Sequence, residues 1–226
     1  MPTALFKAFA QLFDPALRRV VGIGVLGALG TYLALVALVW VTLPHITFFE
    51  DGWADTGTGI ALGFAALVLP ILFFPAMVTL IMGVMLDGVA DAVEARHYPQ
   101  LNWPRPQKWT EIVGGTLRFM AVTVVINVLA LPIYIVLMIT GFSLVLAIGI
   151  NGYLLGREYF ELVAARRLDP AQVKRCFNDN HGRLWLAGAV IAVLFSMPFV
   201  NLVAPVVATA FMVHLFQSLR RQKDLI

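Results

Sequence analysis

The chain has almost no cysteine: Cys176 is the only one among its 226 residues. An internal disulfide is therefore excluded, and so is a zinc site built on paired cysteines. We interpret Cys176 as a structural thiol and not as a nucleophile, because no Cys–His signature accompanies it. The four histidines are scattered without a metal-ligand spacing, so the sequence predicts no bound metal.

Charged residues are also absent from four long stretches, which are residues 20–44, 56–86, 119–156 and 184–219. Each is longer than the stretch of about 20 apolar residues that crosses about 30 Å of hydrocarbon. The chain is 60% hydrophobic, well above the level of about 45–50% that is usual for soluble domains. The sequence therefore predicts an all-α integral membrane protein.

The 16 Lys and Arg residues flank these stretches, at 1–19, 87–118, 157–183 and 220–226. Segment 45–55 differs, since it carries Glu50, Asp51 and Asp55 and no basic residue. Positive charge beside membrane spans marks the cytoplasmic side. We therefore expect segment 45–55 to face outward and both termini to be cytoplasmic. The net charge of +3 then reflects orientation and not nucleic-acid binding.

The last two uncharged stretches are too long for one crossing and too short for two complete crossings with a turn. Each also contains helix breakers near its middle. The breakers are Pro132 and Thr140-Gly141 in 119–156, and Pro198, Asn201 and Pro205 in 184–219. We predict two helical hairpins that enter the membrane part of the way and return to the same side. All basic residues then face one compartment, as the positive-inside tendency requires.

The sequence thus predicts one membrane domain over residues 1–226. Its segments are an interfacial helix 1–14, a full span 15–44, an outer loop 45–55, a second span with a cytoplasmic extension 56–98, and hairpins 107–167 and 170–222. The first segment is placed at the interface because its apolar residues share one helical face, opposite Lys7 and Gln11. That face is formed by Leu5, Phe6, Phe9, Leu12 and Phe13.

Gly22, Gly24 and Gly27 match the G-x-G-x-x-G pattern of dinucleotide sites by letter only. No strand is predicted before them, and no acidic residue follows until Glu50, so we predict no nucleotide and no other cofactor. Small residues instead recur at helical spacing, at Gly24, Gly27, Ala28, Thr31 and Ala34, and again at Gly59 and Gly63. Such faces let helices approach closely in lipid. They predict helix pairing within the chain or between subunits of a homo-oligomer.

Few polar residues enter the uncharged stretches. His214 lies near the cytoplasmic end of its stretch, and we interpret it as a structural side chain that reaches the interface. The neutral polar residues in these stretches are Asn127, Ser143, Asn151, Ser196 and Asn201. Polar groups beside broken helices either line a conduction path or only form hairpin turns, and the sequence favours neither. Because no acid–base or metal constellation accompanies them, an enzyme is not predicted.

The most specific chemical feature is the segment 14–19. Asp14 is a good N-cap and Pro15 suits the first helical position, so the first span is predicted to start there. Its first turn offers free backbone N–H groups beside Arg18 and Arg19, which together suit phosphate or sulfate. The alternative is that both arginines only set the orientation of the chain and extend their charges to the interface.

Three segments of the chain resemble the CysZ sulfate-permease family, which is related to the etoposide-induced protein 2.4 family of eukaryotes. They are Arg18-Arg19 after the short interfacial helix, 151–167 (NGYLLGREYFELVAARR) and 198–205 (PFVNLVAP). The resemblance covers nearly the whole chain and is strongest from Asn151 to Phe216. CysZ proteins combine two full spans with two partly inserted hairpins, which is the layout that charge and length predict here.

The resemblance implies uptake of sulfate or a related oxyanion across the bacterial inner membrane, for assimilation into cysteine. It also implies a sulfate-binding Gly-Leu-Arg motif at the start of the first span. That motif maps onto Ala16, Leu17 and Arg18, with Arg19 following. Ala16 stands where the family has glycine, which permits close approach to the backbone. We therefore expect an altered or weakened site.

A function of another class stays open. Half-inserted hairpins and an amphipathic N-terminus also suit a non-transporting membrane scaffold or bilayer-shaping protein, whose partner is the lipid bilayer itself. An enzyme with an intramembrane site ranks behind both interpretations.

Overall fold

The structure, a computed structural model, describes residues 2–42, 56–64, 81–140 and 142–223, and all regular secondary structure among them is helical. The helices are α1 (Pro2–Gln11), α2 (Pro15–Thr42), α3 (Leu86–His97), α4 (Trp109–Thr140), α5 (Ser143–Ala164), α6 (Pro170–Asp179), α7 (His181–Ser196) and α8 (Ala204–Lys223). Residues 56–64 are helical as well. The all-α prediction is confirmed for this part of the chain. The predicted outer loop 45–55 and residues 65–80 of the predicted second span lie outside the described residues.

Among the described residues, two helices are long and apolar enough to cross a membrane, in their stretches Pro15–Leu38 of α2 and Trp109–Leu137 of α4. Only 17% of the most apolar window in α2 and 6% of that in α4 is buried within the protein. Leu26 on α2 and Leu129 on α4, for example, are 68% and 69% exposed. Apolar surface of this extent along whole helices is typical of contact with lipid, and the chain is a membrane protein.

Both long uncharged stretches break where the sequence predicts. Helix α4 ends at Thr140 and α5 begins at Ser143, while Pro132 lies inside α4 without ending it. Between α7 and α8, Phe199 adopts a φ of 65° and a 3₁₀ turn follows at Val200–Leu202. Because α4 alone is long enough to cross, the depth to which the first hairpin enters the membrane stays a prediction.

Helix α8 lies at the centre of the packed part of the molecule, with α1, α3, α5 and α7 against it. Its side chains from Ala204 to Gln217 are buried on all sides, and Phe211, Met212 and Phe216 are each at most 1% exposed. A helix that is apolar all round is buried either in lipid or in protein. Much of the uncharged character of 184–219 is therefore explained by packing against other helices as well as by lipid.

Glycines set the closest helix crossing, between α5 and α7. A Cβ added at Gly188 would fall inside van der Waals contact of the carbonyl oxygen of Gly152 and 2.6 Å from the Cα of Gly156. A Cβ at Gly156 would likewise collide with the carbonyl oxygen of Leu184. Only backbones without side chains can approach this closely. The signal in the sequence is the Gly152-x-x-x-Gly156 spacing, which the small-residue faces predicted above did not include.

The predicted small-residue face of α2 is occupied from within the chain. A Cβ at Gly24 would lie 2.5 Å from Cγ of Met82, and one at Gly27 would lie 3.2 Å from Cδ1 of Ile81. Ala28 on the same face is fully buried. Pairing within the chain therefore accounts for this face from Gly24 to Ala28, while Thr31 and Ala34 are exposed among the described residues.

Candidate functional site

The candidate anion site is built at the turn between α1 and α2. Helix α2 begins at Pro15, as the sequence predicts. Its first backbone hydrogen bond runs from Arg18 N–H to the carbonyl oxygen of Asp14, at 2.9 Å. The N–H groups of Ala16 and Leu17 precede that bond and have no acceptor within the helix. In the part of the chain that the structure describes, both donors are unpaired, and they lie at the positive end of the helix dipole.

The four residues of the predicted site do not share one environment. Leu17 is 1% exposed and its side chain belongs to the hydrophobic core. Ala16, Arg18 and Arg19 are exposed. In the described part of the chain, neither arginine forms an ion pair. Burial of the Leu17 side chain therefore fixes the first turn, while both guanidinium groups stay available to a ligand.

An unpredicted ion pair flanks this turn. Nη1 of Arg96, near the end of α3, lies 2.5 Å from Oδ1 of Asp14. The Asp14 side chain is 18% exposed and that of Arg96 is 60% exposed. A carboxylate at this place repels an anion, and Arg96 offsets that repulsion. The pair also brings the guanidinium of Arg96 to the turn that precedes Arg18 and Arg19, although nothing in the local sequence links α3 to this turn.

Helix α1 is held from the other side by a buried polar chain. Nε2 of Gln11 lies 3.0 Å from Nε2 of His214, and the hydroxyl of Tyr98 lies 2.8 Å from Nδ1 of the same ring. Gln11 is 4% exposed and His214 is 3% exposed. The prediction that Gln11 lies on the polar face opposite the core was wrong, because α1 packs on α8 and its amide has a buried partner there. His214 has Gln11 and Tyr98 as partners inside the protein, and the prediction that its side chain reaches the interface was wrong, because the residue is buried.

Helix α3 is anchored to the end of α5 by a charged cluster. Glu94 is 4% exposed and accepts from Arg167, with Oε2 2.5 Å from Nη2 and Oε1 3.2 Å from Nε. Its Oε2 also lies 3.4 Å from Nη2 of Arg166. Arg166 additionally pairs with Asp91, and Arg167 donates to the carbonyl oxygen of Asn102. We call Glu94, Arg166 and Arg167 the buried charge cluster.

The charges in this cluster compensate one another. Burial acts to lower the pKa of Arg166, but the hydrogen bond and charge of Asp91, with the charges of Glu94 and Asp87, outweigh it and leave the pKa above its usual value. The guanidinium is therefore charged at any physiological pH. In the sequence, the recurrence of Asp87, Asp91 and Glu94 indicates one helical face, but it does not reveal that Arg166 and Arg167 cover that face.

The neutral polar residues of the uncharged stretches do not converge. Asn127 donates to Thr123 O at 2.8 Å and Asn151 to Ala147 O at 2.9 Å. Ser196 likewise donates to Ala192 O at 2.8 Å. Each bond closes on the carbonyl four residues back in the same helix, as polar side chains do in apolar surroundings. These three side chains are therefore bonded within their own helices, whereas Oδ1 of Asn201 is buried and has no hydrogen-bond partner among the described residues.

A protein-family model described as Sulfate transporter CysZ/Etoposide-induced protein 2.4 matches residues 4–205 of the chain. The matched span contains the turn before α2, Arg96 and the buried charge cluster. No curated protein and no solved structure matches.

Proposed function

Because the chain belongs to the family of the sulfate transporter CysZ and the etoposide-induced protein 2.4, we propose that it transports sulfate across the bacterial inner membrane for cysteine biosynthesis. The family is one of transporters and not of enzymes. The observation that carries the proposal is the exposed pair Arg18 and Arg19, unpaired in the described residues, beside the exposed first-turn residue Ala16.

The proposed site suits an oxyanion that carries two negative charges. Arg18 and Arg19 match that charge, and charge-assisted hydrogen bonds are about twice as strong as neutral ones. The N–H group of the exposed Ala16 adds a donor along the helix dipole. Leu17 is 1% exposed, and it contributes by holding the turn from within the core. Ala16 is exposed, so its methyl group lies where the family glycine leaves open space.

The proposed anion site faces the cytoplasm. The basic segments face the cytoplasm, both termini lie there, and segment 45–55 faces outward. Subunits associate in a homo-oligomer, and the anion moves down its gradient or with a coupled ion. The hairpins 107–167 and 170–222 enter the membrane from the cytoplasmic side.

Radiolabelled sulfate uptake into proteoliposomes tests the site. We expect the Arg18→Ala/Arg19→Ala variant to take up sulfate about tenfold more slowly than wild type at sulfate concentrations below saturation, or slower still. The reason is that a hydrogen bond to a charged group contributes about 1.5–3 kcal/mol and about 1.4 kcal/mol corresponds to a factor of ten.

The matched control is Arg175→Ala, which removes an exposed arginine on α6 and is expected to leave uptake unchanged. Equal uptake by wild type and the double variant would show that the proposed site is wrong. Absence of uptake by the wild-type protein would overturn the transport proposal. An excess of unlabelled phosphate, sulfite or thiosulfate in the same assay ranks the oxyanions.

Cysteine labelling tests the proposed orientation. Trp53 lies in segment 45–55, and the buried Cys176 is replaced by serine to remove background. In intact cells, Trp53→Cys is expected to react with a membrane-impermeant maleimide. Lys223→Cys, at the other end of the chain, is expected to react only after permeabilisation. Labelling of both positions in intact cells, or of position 223 alone, contradicts a single orientation with cytoplasmic termini.

A membrane scaffold is the second candidate function. It is favoured by Phe6 and Phe13, which are 75% and 80% exposed around α1 and suit insertion of this helix into the interface. Transport by purified protein in the uptake assay excludes a scaffold as the sole function.

A further inference from the structure

A cavity with basic side chains in its wall lies between α1 and α8. Neither Arg18 nor Arg19 lines it. Its volume is about 250 Å³. Lys7 projects into it from α1, Gln217 and Arg221 from α8, and Tyr98 closes it from the segment after α3. The cavity therefore joins three elements at the end of the molecule that also carries the turn before α2.

The lining of this cavity is cationic without compensation. Lys7 and Arg221 both line it, and no carboxylate among the described residues does. In the part of the chain that the structure describes, neither forms an ion pair. The guanidinium of Arg221 lies 5.7 Å from the ring centroid of Tyr98, and its charge lowers the pKa of Tyr98 against the larger, raising effect of burial. Two positive charges thus share a concave surface, which attracts an anion.

A buried donor without a partner points to the same ligand chemistry. Gln217 is 4% exposed, and its Nε2 has no hydrogen-bond partner within the described ranges of the chain. A buried donor that stays unpaired destabilises the protein, so such groups are normally satisfied by protein, water or a ligand. Because Gln217 lines the cavity, an acceptor bound between Lys7 and Arg221 satisfies it.

The hydroxyl of Tyr98 supplies another donor. With Nε2 of Gln11 as donor, Nε2 of His214 accepts, and the proton of a neutral imidazole then lies on Nδ1. Nδ1 donates to the oxygen of Tyr98 across 2.8 Å, which leaves the phenolic proton for another acceptor. The polar chain that holds α1 therefore orients Tyr98 as a donor at the cavity wall.

We propose that this cavity binds a tetrahedral oxyanion, with Lys7 and Arg221 as counter-charges and Gln217 and Tyr98 as neutral donors. The shared chemistry is that of free sulfate or phosphate and of the phosphate in a lipid headgroup. The site is separate from the turn before α2, so an anion here fixes α1 to α8 whether or not the transport site is filled.

Binding measurements on purified, delipidated full-length protein test the proposal. All variants carry Arg18→Gln/Arg19→Gln, so that loss of the proposed transport site cannot be confused with loss of this one. One arm measures binding of labelled sulfate and labelled phosphate by equilibrium dialysis. The other arm measures retention of phosphatidylglycerol by native mass spectrometry, with diacylglycerol as the lipid that lacks a phosphate.

We expect the background protein to bind in at least one arm, and Lys7→Gln and Arg221→Gln each to weaken that binding about tenfold. Gln217→Leu is expected to weaken it as well. Arg175→Gln is the control for loss of one positive charge and is expected to have no effect. Lys7 and Arg221 are exposed, so unchanged thermal unfolding of their variants separates lost binding from lost folding.

The two arms identify the source of the oxyanion. Loss in the dialysis arm assigns a free anion, whereas loss in the lipid arm alone assigns a headgroup phosphate. Binding that Lys7→Gln and Arg221→Gln leave unchanged, or equal retention of phosphatidylglycerol and diacylglycerol without binding of free anions, overturns the proposal.

Discussion

Replacing Gly188 with leucine is expected to abolish folding of the protein. The new Cβ would collide with the carbonyl oxygen of Gly152 and lie 2.6 Å from the Cα of Gly156. All the atoms that it meets there belong to backbone, so no side chain can rotate away. Helices α5 and α7 must then separate over their whole crossing, and we expect a cost above about 4 kcal/mol, at the upper end for single substitutions.

The matched control lies on the same helix. Gly182 is in the first turn of α7, and a Cβ there meets nothing within 4 Å. Gly182→Ala is expected to leave stability unchanged or raise it by about 0.4–1 kcal/mol. Fluorescence-detected size-exclusion chromatography of fusion proteins in detergent distinguishes the two. A monodisperse Gly188→Leu variant with a wild-type thermal transition contradicts the proposed role of this crossing.

Only part of the crossing between α5 and α7 could be predicted from the sequence. Uncharged stretches and prolines indicated the helices and the two breaks because hydrophobicity and backbone chemistry are local properties. The Gly152-x-x-x-Gly156 spacing is local as well, and it marks a close-packing face. Its partner Gly188 lies on another helix, and only the tertiary arrangement pairs them. Sequence alone therefore indicates that some helix approaches α5, without identifying which one.

In the candidate site, too, local features were predicted from the sequence and contacts between distant segments were not. Asp14-Pro15 placed the start of α2 correctly, because capping chemistry acts within one turn. The pairing of Asp14 with Arg96 spans 82 positions in sequence and could not be predicted from either segment. Gln11 was assigned to the wrong face because amphipathic spacing assumes that polar residues avoid the core. A buried amide with a histidine partner breaks that assumption.

Replacing Glu94 with alanine is expected to destabilise the folded protein by about 3–5 kcal/mol, the usual cost of removing one partner from a buried ion pair. The side chains of Glu94, Arg166 and Arg167 are 5%, 6% and 8% exposed. Without Glu94, Arg167 has lost its carboxylate partner but stays buried. Arg166 retains Asp91, so most of the cost arises at Arg167.

Denaturant titration in detergent micelles, followed by the fluorescence of the 5 tryptophans, measures this loss. The control is Asp87→Asn, since the Asp87 side chain is 75% exposed and its Oδ1 lies 3.4 Å from Nη1 of Arg166. Exposed ion pairs contribute about 0–1 kcal/mol, and we expect a change within that range. Equal effects of the two substitutions would show that burial of the cluster does not determine its contribution.

The Glu94 substitution also connects stability to the proposed sulfate site. Glu94 and Arg96 lie on the same short helix, and Arg96 reaches Asp14 at the turn before α2. If the buried charge cluster holds α3 in place, Glu94→Gln weakens sulfate binding even where the protein remains folded. Arg96→Gln weakens it directly, by leaving the charge of Asp14 uncompensated. The double variant is then expected to lose less affinity than the sum of the two single losses, because Glu94 acts on sulfate through the same Asp14–Arg96 contact. Fully additive losses indicate that Glu94 acts on sulfate by another route.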